Sequence, residues 1–245
     1  MTLRIAVVYP DLLGTYWDGG NGVVLARRAS WRGFDAEVLQ AASDRPLPDA
    51  DVYCLGGGED GPQVRAARAL IDDGSMPDRV AGGAVVLAVC AGFQVVGRSF
   101  PGADGAPHDG LALLDVTTVK GEGPRAVGEV VTEVDEASGL PGLPTLTGFE
   151  NHGGRTSLGE GLSPLGRTRA GIGNGDGTEG AVSGRVVGTY LHGPVLARNP
   201  ALADLLLAWA LGEKNLAPLD DAAAESLRAE RLSSSLGRGR LRRRR

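Results

Sequence analysis

The stretch Ala84-Val85-Val86-Leu87-Ala88-Val89-Cys90-Ala91-Gly92-Phe93-Gln94 decides the fold. An apolar, β-type run ends in a cysteine, and a segment of small residues follows at once. This is the pattern of a nucleophile elbow, in which a buried strand turns sharply into a helix and leaves one side chain at the strand's carboxyl end. Small neighbours are a physical need there, because two backbones pass close together. A lone cysteine in an apolar run is more often a buried, inert thiol. The surroundings of Cys90 decide between the two.

Working outward, the residues on either side alternate strand and helix signals. Residues 3–8 form an apolar run stopped by Pro10, which predicts a first strand. Residues 21–33 read as a helix with Arg27, Arg28 and Arg32 on its wetter side. Residues 36–39 and 52–55 are short strands. Pro62 opens a helix that runs to Asp73 and stops at Gly74. Residues 84–89 form the next buried strand and 91–99 the helix after the elbow. Strands alternating with helices imply an α/β fold: a mostly parallel open sheet with helices on both faces. The middle differs. Residues 111–119, 126–134 and 165–168 are strand-like and separated by Gly-rich turns, which predicts an antiparallel extension of the same sheet. Residues 186–191 are a further buried strand, and 200–211 an amphipathic helix. One domain over residues 1–215 is expected, followed by a weak helix and a basic, disordered tail over 216–245.

The chain has 245 residues, 39 of them glycine, which favours tight turns and close backbone crossings over a bulky aromatic core. The two cysteines, Cys54 and Cys90, both lie in apolar runs, so no disulfide framework is expected and a reducing cytosol fits. Cys54 reads as buried filler. No N-terminal signal and no apolar window of roughly 18 residues is seen, so neither export nor a membrane span is expected. The formal net charge is −5, and Arg238 to Arg245 include six arginines and no acid, so the rest of the chain carries −11. An acidic body repels phosphates, which argues against a nucleic-acid partner. The basic tail reads as a solvated terminus, with attraction to anionic lipid headgroups at the inner membrane face as the sharper alternative.

Three places on this outline can converge, because sites in an open parallel sheet form outside the carboxyl ends of its strands. Cys90 lies at one end. His192 lies at another, in Tyr190-Leu191-His192-Gly193-Pro194. The loop Gly56-Gly57-Gly58-Glu59-Asp60-Gly61 lies at a third. A thiol needs a base, and imidazole suits that at neutral pH. A tetrahedral intermediate needs fixed N–H donors, and a triple glycine offers unobstructed ones. Together these parts form a covalent acyl-transfer site. The glycines match no Rossmann or Walker fingerprint, and the only lysines are Lys120 and Lys214, so no nucleotide site is expected in this chain. No metal site is assigned either.

The order of glycine loop, elbow cysteine and late histidine resembles a class I glutamine amidotransferase domain of the cobyric-acid-synthase type. Ala88 stands where the usual elbow has a glycine. His192 is followed by Gly193-Pro194, where many triad enzymes carry Gly-Glu, so the usual acidic partner is missing. Further motifs resemble one subgroup, the stand-alone glutaminase subunit of lipid II isoglutaminyl synthase. They are Tyr9-Pro10-Asp11-Leu12, Tyr16-Trp17-Asp18-Gly19-Gly20-Asn21 and Gly148-Phe149-Glu150-Asn151-His152-Gly153-Gly154-Arg155-Thr156.

The resemblance implies that Cys90 attacks the glutamine side-chain amide and that His192 handles the proton. It implies that the backbone of Gly57 or Gly58, with that of Ala91, holds the oxyanion, and it groups Gln94 with the substrate-binding residues. Arg125 would bind the glutamine α-carboxylate, a task that suits a guanidinium fork. Asp18 and Glu150 are the candidates for orienting His192. The resemblance also implies a heterodimer with an ATP-dependent, Mur-ligase-like synthetase that carries ATP and Mg. That partner would present the D-glutamate α-carboxyl of lipid II to ammonia, with His152 and the Gly153-Gly154 turn bordering the interface. The alternatives are amidation of another acceptor, such as a corrinoid, and a non-catalytic binding module on the same fold.

Overall fold

The structure, a computed structural model, describes residues 2–140 and 142–242. The chain opens with β1 (Leu3–Val8), α1 (Gly20–Ser30), β2 (Ala36–Ala41), β3 (Val52–Leu55), α2 (Asp60–Asp73), α3 (Met76–Ala81), β4 (Val85–Val89) and α4 (Ala91–Val95). The middle holds β5 (Ser99–Pro101), β6 (Pro107–Asp109), β7 (Val116–Lys120), β8 (Ala126–Val134), β9 (Leu146–His152), β10 (Gly154–Leu158), β11 (Gly166–Ala170) and β12 (Thr178–Glu179). The chain then forms β13 (Ala181–Ser183), β14 (Val186–Thr189), α5 (Val195–Arg198), α6 (Pro200–Leu211) and α7 (Ala222–Arg242).

The main sheet has the order β13-β14-β4-β3-β1-β2, and every neighbour pair is parallel except β13 with β14. Its register explains the continuous apolar runs. Val7, Cys54, Leu87 and Val187 lie side by side on one face, and Val8, Leu55, Ala88 and Gly188 on the other. Both faces are covered. Helix α1 brings Gly22 against Val7 and Ile5, and α4 brings Phe93 against Gly188. A Cβ on Gly188 would stand 2.1 Å from the Phe93 ring, so only glycine allows this approach. Strands buried on both sides lose the polar alternation of a half-exposed sheet.

The middle strands pair mostly antiparallel, as the Gly-rich turns suggest, but they do not continue the main sheet. They form two four-stranded sheets of their own, β10-β7-β5-β6 and β12-β11-β8-β9. The second is stitched to the main sheet by one bridge, in which Phe149 and His192 exchange backbone hydrogen bonds of 3.0 and 2.8 Å.

Three further expectations need correction. The helix after the elbow stops at Val95 instead of running to residue 99. The backbone from Val95 to Arg98 is captured by Leu111, Ala112, Leu114 and Val116, which satisfies carbonyls the helix would leave open. For the same reason residues 111–115 wrap the end of α4, and the strand begins only at Val116. Arg28 is not on a wet face: it is 4% exposed. Within the segment 216–245, α7 occupies Ala222–Arg242. The tail residues 243–245 lie outside the described residues.

Arg28 clamps three segments. Its guanidinium pairs with both carboxylate oxygens of Asp204 on α6 at 2.7 and 2.8 Å, and with both of Asp221 at 2.7 and 2.8 Å. Burial opposes its charge, but the two acids more than compensate and hold its pKa above the ordinary arginine value. Removing one partner of a buried pair costs more than the pair contributes; here Asp221 would lose its guanidinium, while Asp204 keeps a bond from Arg32 Nη2 at 2.7 Å. Asp204 and Asp221 keep about a quarter of their side-chain surface in water, which softens that cost. Arg28→Ala should therefore lower unfolding stability by about 2–3 kcal/mol in chemical denaturation, without changing the fold.

Candidate active site

Cys90 sits at the turn between β4 and α4. Its N–H donates to the Thr189 carbonyl at 2.8 Å, which carries the β14–β4 ladder past the last strand residue. Its backbone then bends to φ 53°, ψ −106°, a conformation that side chains other than glycine rarely take. Such a residue costs about 1–3 kcal/mol and persists only where the surroundings impose it. The thiol is largely buried and lies 3.9 Å from the Asn151 carbonyl.

The glycine loop follows β3 and is tied to the elbow by a bond from Gly92 N–H to the Gly56 carbonyl, 3.1 Å. Gly57 is pressed against the histidine: a Cβ there would lie 2.7 Å from His192 Cε1. Its N–H donates to Asp18 Oδ2 at 2.9 Å, so it is not available to an oxyanion. That corrects one of the two glycines named from sequence. Among the described residues the N–H groups of Gly58 and Ala91 make no bond, and both residues line the cavity beside Cys90.

His192 follows β14 and is fixed by its backbone bridge to Phe149. Its Nδ1 lies 2.8 Å from Asp18 Oδ2, the oxygen that also accepts from Gly57. Asp18 lies in the loop after β1 and is 1% exposed. The edge of the Tyr16 ring covers the imidazole, with ring centroids 4.9 Å apart. Burial works against an imidazolium here. Interaction with Asp18 and with the Cys90 sulfur outweighs it and raises the His192 pKa to about 10. The sulfur is near enough to couple with the ring, yet among the described residues Nε2 has no aligned hydrogen-bond partner. Of the two acids proposed to orient His192, Asp18 does so. Glu150 is buried but serves elsewhere. It accepts from the backbone N–H of Ile172 and Gly173 at 2.7 and 2.9 Å and lies 3.4 Å from His152 Nε2.

A cavity of about 130 Å³ opens beside Cys90. Arg125 and Gln94 line it, together with Asp60, Lys120 and His152. Arg125 donates Nη2 to the Asn151 carbonyl at 2.9 Å and Nε to the Asn151 side chain. Gln94 is held in a buried relay. Gln63 donates to it at 2.8 Å, and it reaches the Tyr190 hydroxyl at 3.2 Å, which continues to Thr156 at 2.6 Å and on to Thr118 at 2.8 Å. His152 stacks on Tyr190 with ring centroids 3.7 Å apart. It is 2% exposed and lines the cavity with Gly153 and Gly154. Cys54 is buried under the sheet, where desolvation pushes its thiol up to about 12. Sequence reasoning gave no role to Tyr16, Asn151, Asp60 or Lys120. Asn151 joins Arg125, Tyr16 and the Cys90 thiol, but only the pairing of β8 with β9 brings these residues together.

Chemically, the site offers a thiol on a strained backbone, an imidazole held by a buried carboxylate, and two cavity-lining residues whose N–H groups are unbonded among the described residues. That set suits attack on a carbonyl, stabilisation of the oxyanion and protonation of the leaving nitrogen.

Residues 4–200 match the CobB/CobQ-like glutamine amidotransferase domain. The chain is 33% identical over 211 residues to subunit GatD of the glutamine-hydrolysing lipid II isoglutaminyl synthase of Staphylococcus aureus (strain N315), covering 84% of this chain and 83% of that protein. It is 33% identical over 217 residues to the same subunit from Streptococcus pneumoniae (strain ATCC BAA-255 / R6), covering 86% and 82%. A cobyric acid synthase from Pelotomaculum thermopropionicum is 42% identical over 139 residues, but the match covers only 52% of this chain and 26% of that one. Among solved structures, a glutamine amidotransferase superposes with TM-score 0.60 at 21% identity, over 84% of this chain and 98% of the other, which shows the shared fold.

The Asp18–His192 pair carries a signed pH dependence. A histidine pKa raised from 6.5 to about 10 on folding contributes stability that is complete below about pH 6.5 and is lost as pH rises through 10. In Asp18→Asn the His192 titration, followed by NMR of the imidazole, should move down by at least about one unit, and the fall in stability over that window should shrink. An unchanged titration would show that Asp18 does not support the ring.

Proposed function

This chain belongs to the CobB/CobQ-like glutamine amidotransferase family, and on that premise we propose that it is the glutaminase subunit of a two-subunit ligase that amidates lipid II. The observation that carries the reading is the convergence of Cys90, His192 and Asp18 on a cavity lined by free Gly58 and Ala91 N–H groups. Arg125 holds the α-carboxylate of L-glutamine, and Gln94 fixes the wall beside it. The Cys90 thiol passes its proton to His192 Nε2, and the sulfur attacks the side-chain amide carbon. The carbonyl oxygen takes up the negative charge and accepts from Gly58 and Ala91. His192 gives its Nε2 proton to the amide nitrogen, the C–N bond breaks and ammonia leaves. A γ-glutamyl thioester remains on Cys90. Water then gives a proton to Nε2 as it attacks the thioester, and glutamate departs. Throughout, Asp18 keeps Nδ1 protonated and offsets the imidazolium charge, the role of the acid in a Ser-His-Asp triad.

The ammonia needs an activated acceptor. The resemblance to GatD over most of both chains supports lipid II as that acceptor, because the cobyric acid synthase match spans a quarter of that protein. In this reading a Mur-ligase-like partner binds ATP and Mg and phosphorylates the α-carboxyl of D-glutamate. Ammonia displaces the phosphate and forms D-isoglutamine. The pair works in the cytoplasm, where the precursor is made. In this reading lipid II is bound by the partner; among the described residues no helix is long and apolar enough to cross a membrane.

The test is coupled amidation by the co-purified pair. Cys90→Ala should lose glutamine-dependent amidation by at least about a thousandfold and keep amidation driven by added ammonium. Glutamine use at the normal rate by Cys90→Ala would refute the mechanism.

A further inference from the structure

A buried acid that the reaction does not use stands behind the strand end that carries His192. Glu179 ends β12 and is shut off from water. Gly180, next to it, has φ 62° and passes so close to β14 that a Cβ there would lie 2.4 Å from the Gly188 carbonyl oxygen. That turn sets the Glu179 side chain against the residues leading from β14 to the imidazole. Its Oε1 accepts from the Thr189 hydroxyl at 2.8 Å and from the Tyr190 N–H at 2.7 Å. The Thr189 hydroxyl in turn accepts from the Leu191 N–H at 3.1 Å, and the Thr189 carbonyl accepts from the Cys90 N–H at 2.8 Å. A single oxygen therefore fixes both the path to His192 and the ladder bond at the elbow.

The second oxygen indicates which form the acid takes. Oε2 is buried and has no partner among the described residues. Thr132 Oγ1, on β8, interacts with the same carboxyl and also lacks an aligned partner. The charged group that faces Glu179 is Glu150, on β9, and both its oxygens are served: Oε1 accepts from Ile172 N–H at 2.7 Å and Oε2 from Gly173 N–H at 2.9 Å, with His152 Nε2 at 3.4 Å. The other titratable group beside Glu179 is Tyr190, whose hydroxyl is pushed up to about 12 by burial and stays neutral. Among the described residues no arginine or lysine pairs with either acid. Two carboxylates that share a dry space do not both keep their charge. The one whose two oxygens each accept from an N–H keeps it, and the other takes a proton. Burial pushes the Glu179 carboxyl up to about 7; the bonds from Tyr190 and Thr189 oppose this and the charge on Glu150 adds to it.

We propose that Glu179 is a positioning residue that works as a neutral carboxylic acid, with Oε1 holding the Thr189–Tyr190 segment on which Cys90 and His192 depend and an Oε2 proton donated to Thr132. It acts through that segment and touches no reacting atom. The inference rests on the reading of Cys90 as the nucleophile. A neutral acid accepts on one oxygen and donates from the other, so it can link β8 to the end of β14; a carboxylate only accepts.

The experiment uses the full chain. Its glutamate carboxyls, labelled with carbon-13, are followed by NMR across pH, and the Glu179 resonance is the one lost in Glu179→Gln. It should titrate at about pH 7, and an ordinary glutamate value would overturn the inference. A folded pKa raised from 4.5 to about 7 costs the wild type stability as pH rises through that window, and the cost is complete above it. Glutamine keeps an acceptor and a donor in the same places, so Glu179→Gln should lose that slope and gain at least about tenfold in folding equilibrium constant relative to wild type between about pH 5 and about pH 7.5. Positioning is read from the rate at which chloroacetamide alkylates Cys90, followed by mass spectrometry. At about pH 6, Glu179→Gln should react within about twofold of wild type, and Glu179→Ala, folded by circular dichroism, at least about tenfold more slowly. A wild-type rate in folded Glu179→Ala would overturn the inference. Where Glu179→Ala does not fold, Glu179→Gln decides: failure to fold, or a rate more than about tenfold below wild type, would show that the charge is needed and end the proposal. None of these readouts uses glutamine, so their failure leaves the glutaminase reading standing, and loss of that reading would show only in the coupled amidation assay.

Discussion

One carboxylate oxygen, Asp18 Oδ2, holds the site together. It accepts from Gly57 N–H at 2.9 Å and sits 2.8 Å from His192 Nδ1, inside a part of the protein that water does not reach. The contact joins the loops after β1, β3 and β14, so it ties three strand ends to one atom. It sets which nitrogen of His192 carries a fixed proton and leaves Nε2 toward the thiol. It also engages the Gly57 N–H, which leaves Gly58 as the loop glycine proposed to serve the oxyanion. A buried charge with few partners is costly, and Asp18 Oδ1 has none among the described residues. The fold tolerates that cost where it builds the site.

Around this atom the other constraints are steric. The elbow needs Cys90 in a backbone conformation that strands and helices do not use, and the ladder bond to Thr189 imposes it. The glycine loop must run beside the imidazole with no Cβ in the way. The Phe149–His192 bridge fastens an antiparallel sheet to the end of β14, and that sheet brings Asn151 and Arg125 over the thiol. The central sheet thus supplies the nucleophile and its base, and the antiparallel region supplies part of the substrate wall.

Much of this was legible in the sequence because it is local. The buried strands at residues 3–8, 52–55 and 85–89 show as uninterrupted apolar runs, and the elbow shows as a cysteine between such a run and small residues. The acid that serves His192 was one of two candidates, since it lies 174 residues away and only the sheet brings it close. Arg28 read as a wet residue because periodicity cannot foresee two carboxylates arriving from Asp204 and Asp221. The helix after the elbow was overextended for a similar reason: residues 111–114 take over its last carbonyls, a competition invisible in its own sequence. Strands β9 and β10 were hidden by their glycines and read as a motif instead.

The most direct test of the account is to catch the covalent intermediate. The wild-type protein, mixed with L-glutamine and quenched in acid within its turnover, should yield a γ-glutamyl adduct in peptide mapping, located on Cys90 and absent when glutamate replaces glutamine. Steady consumption of glutamine with no adduct on Cys90, or with the adduct on another residue, would contradict the claim that this thiol, served by His192 and Asp18, does the chemistry.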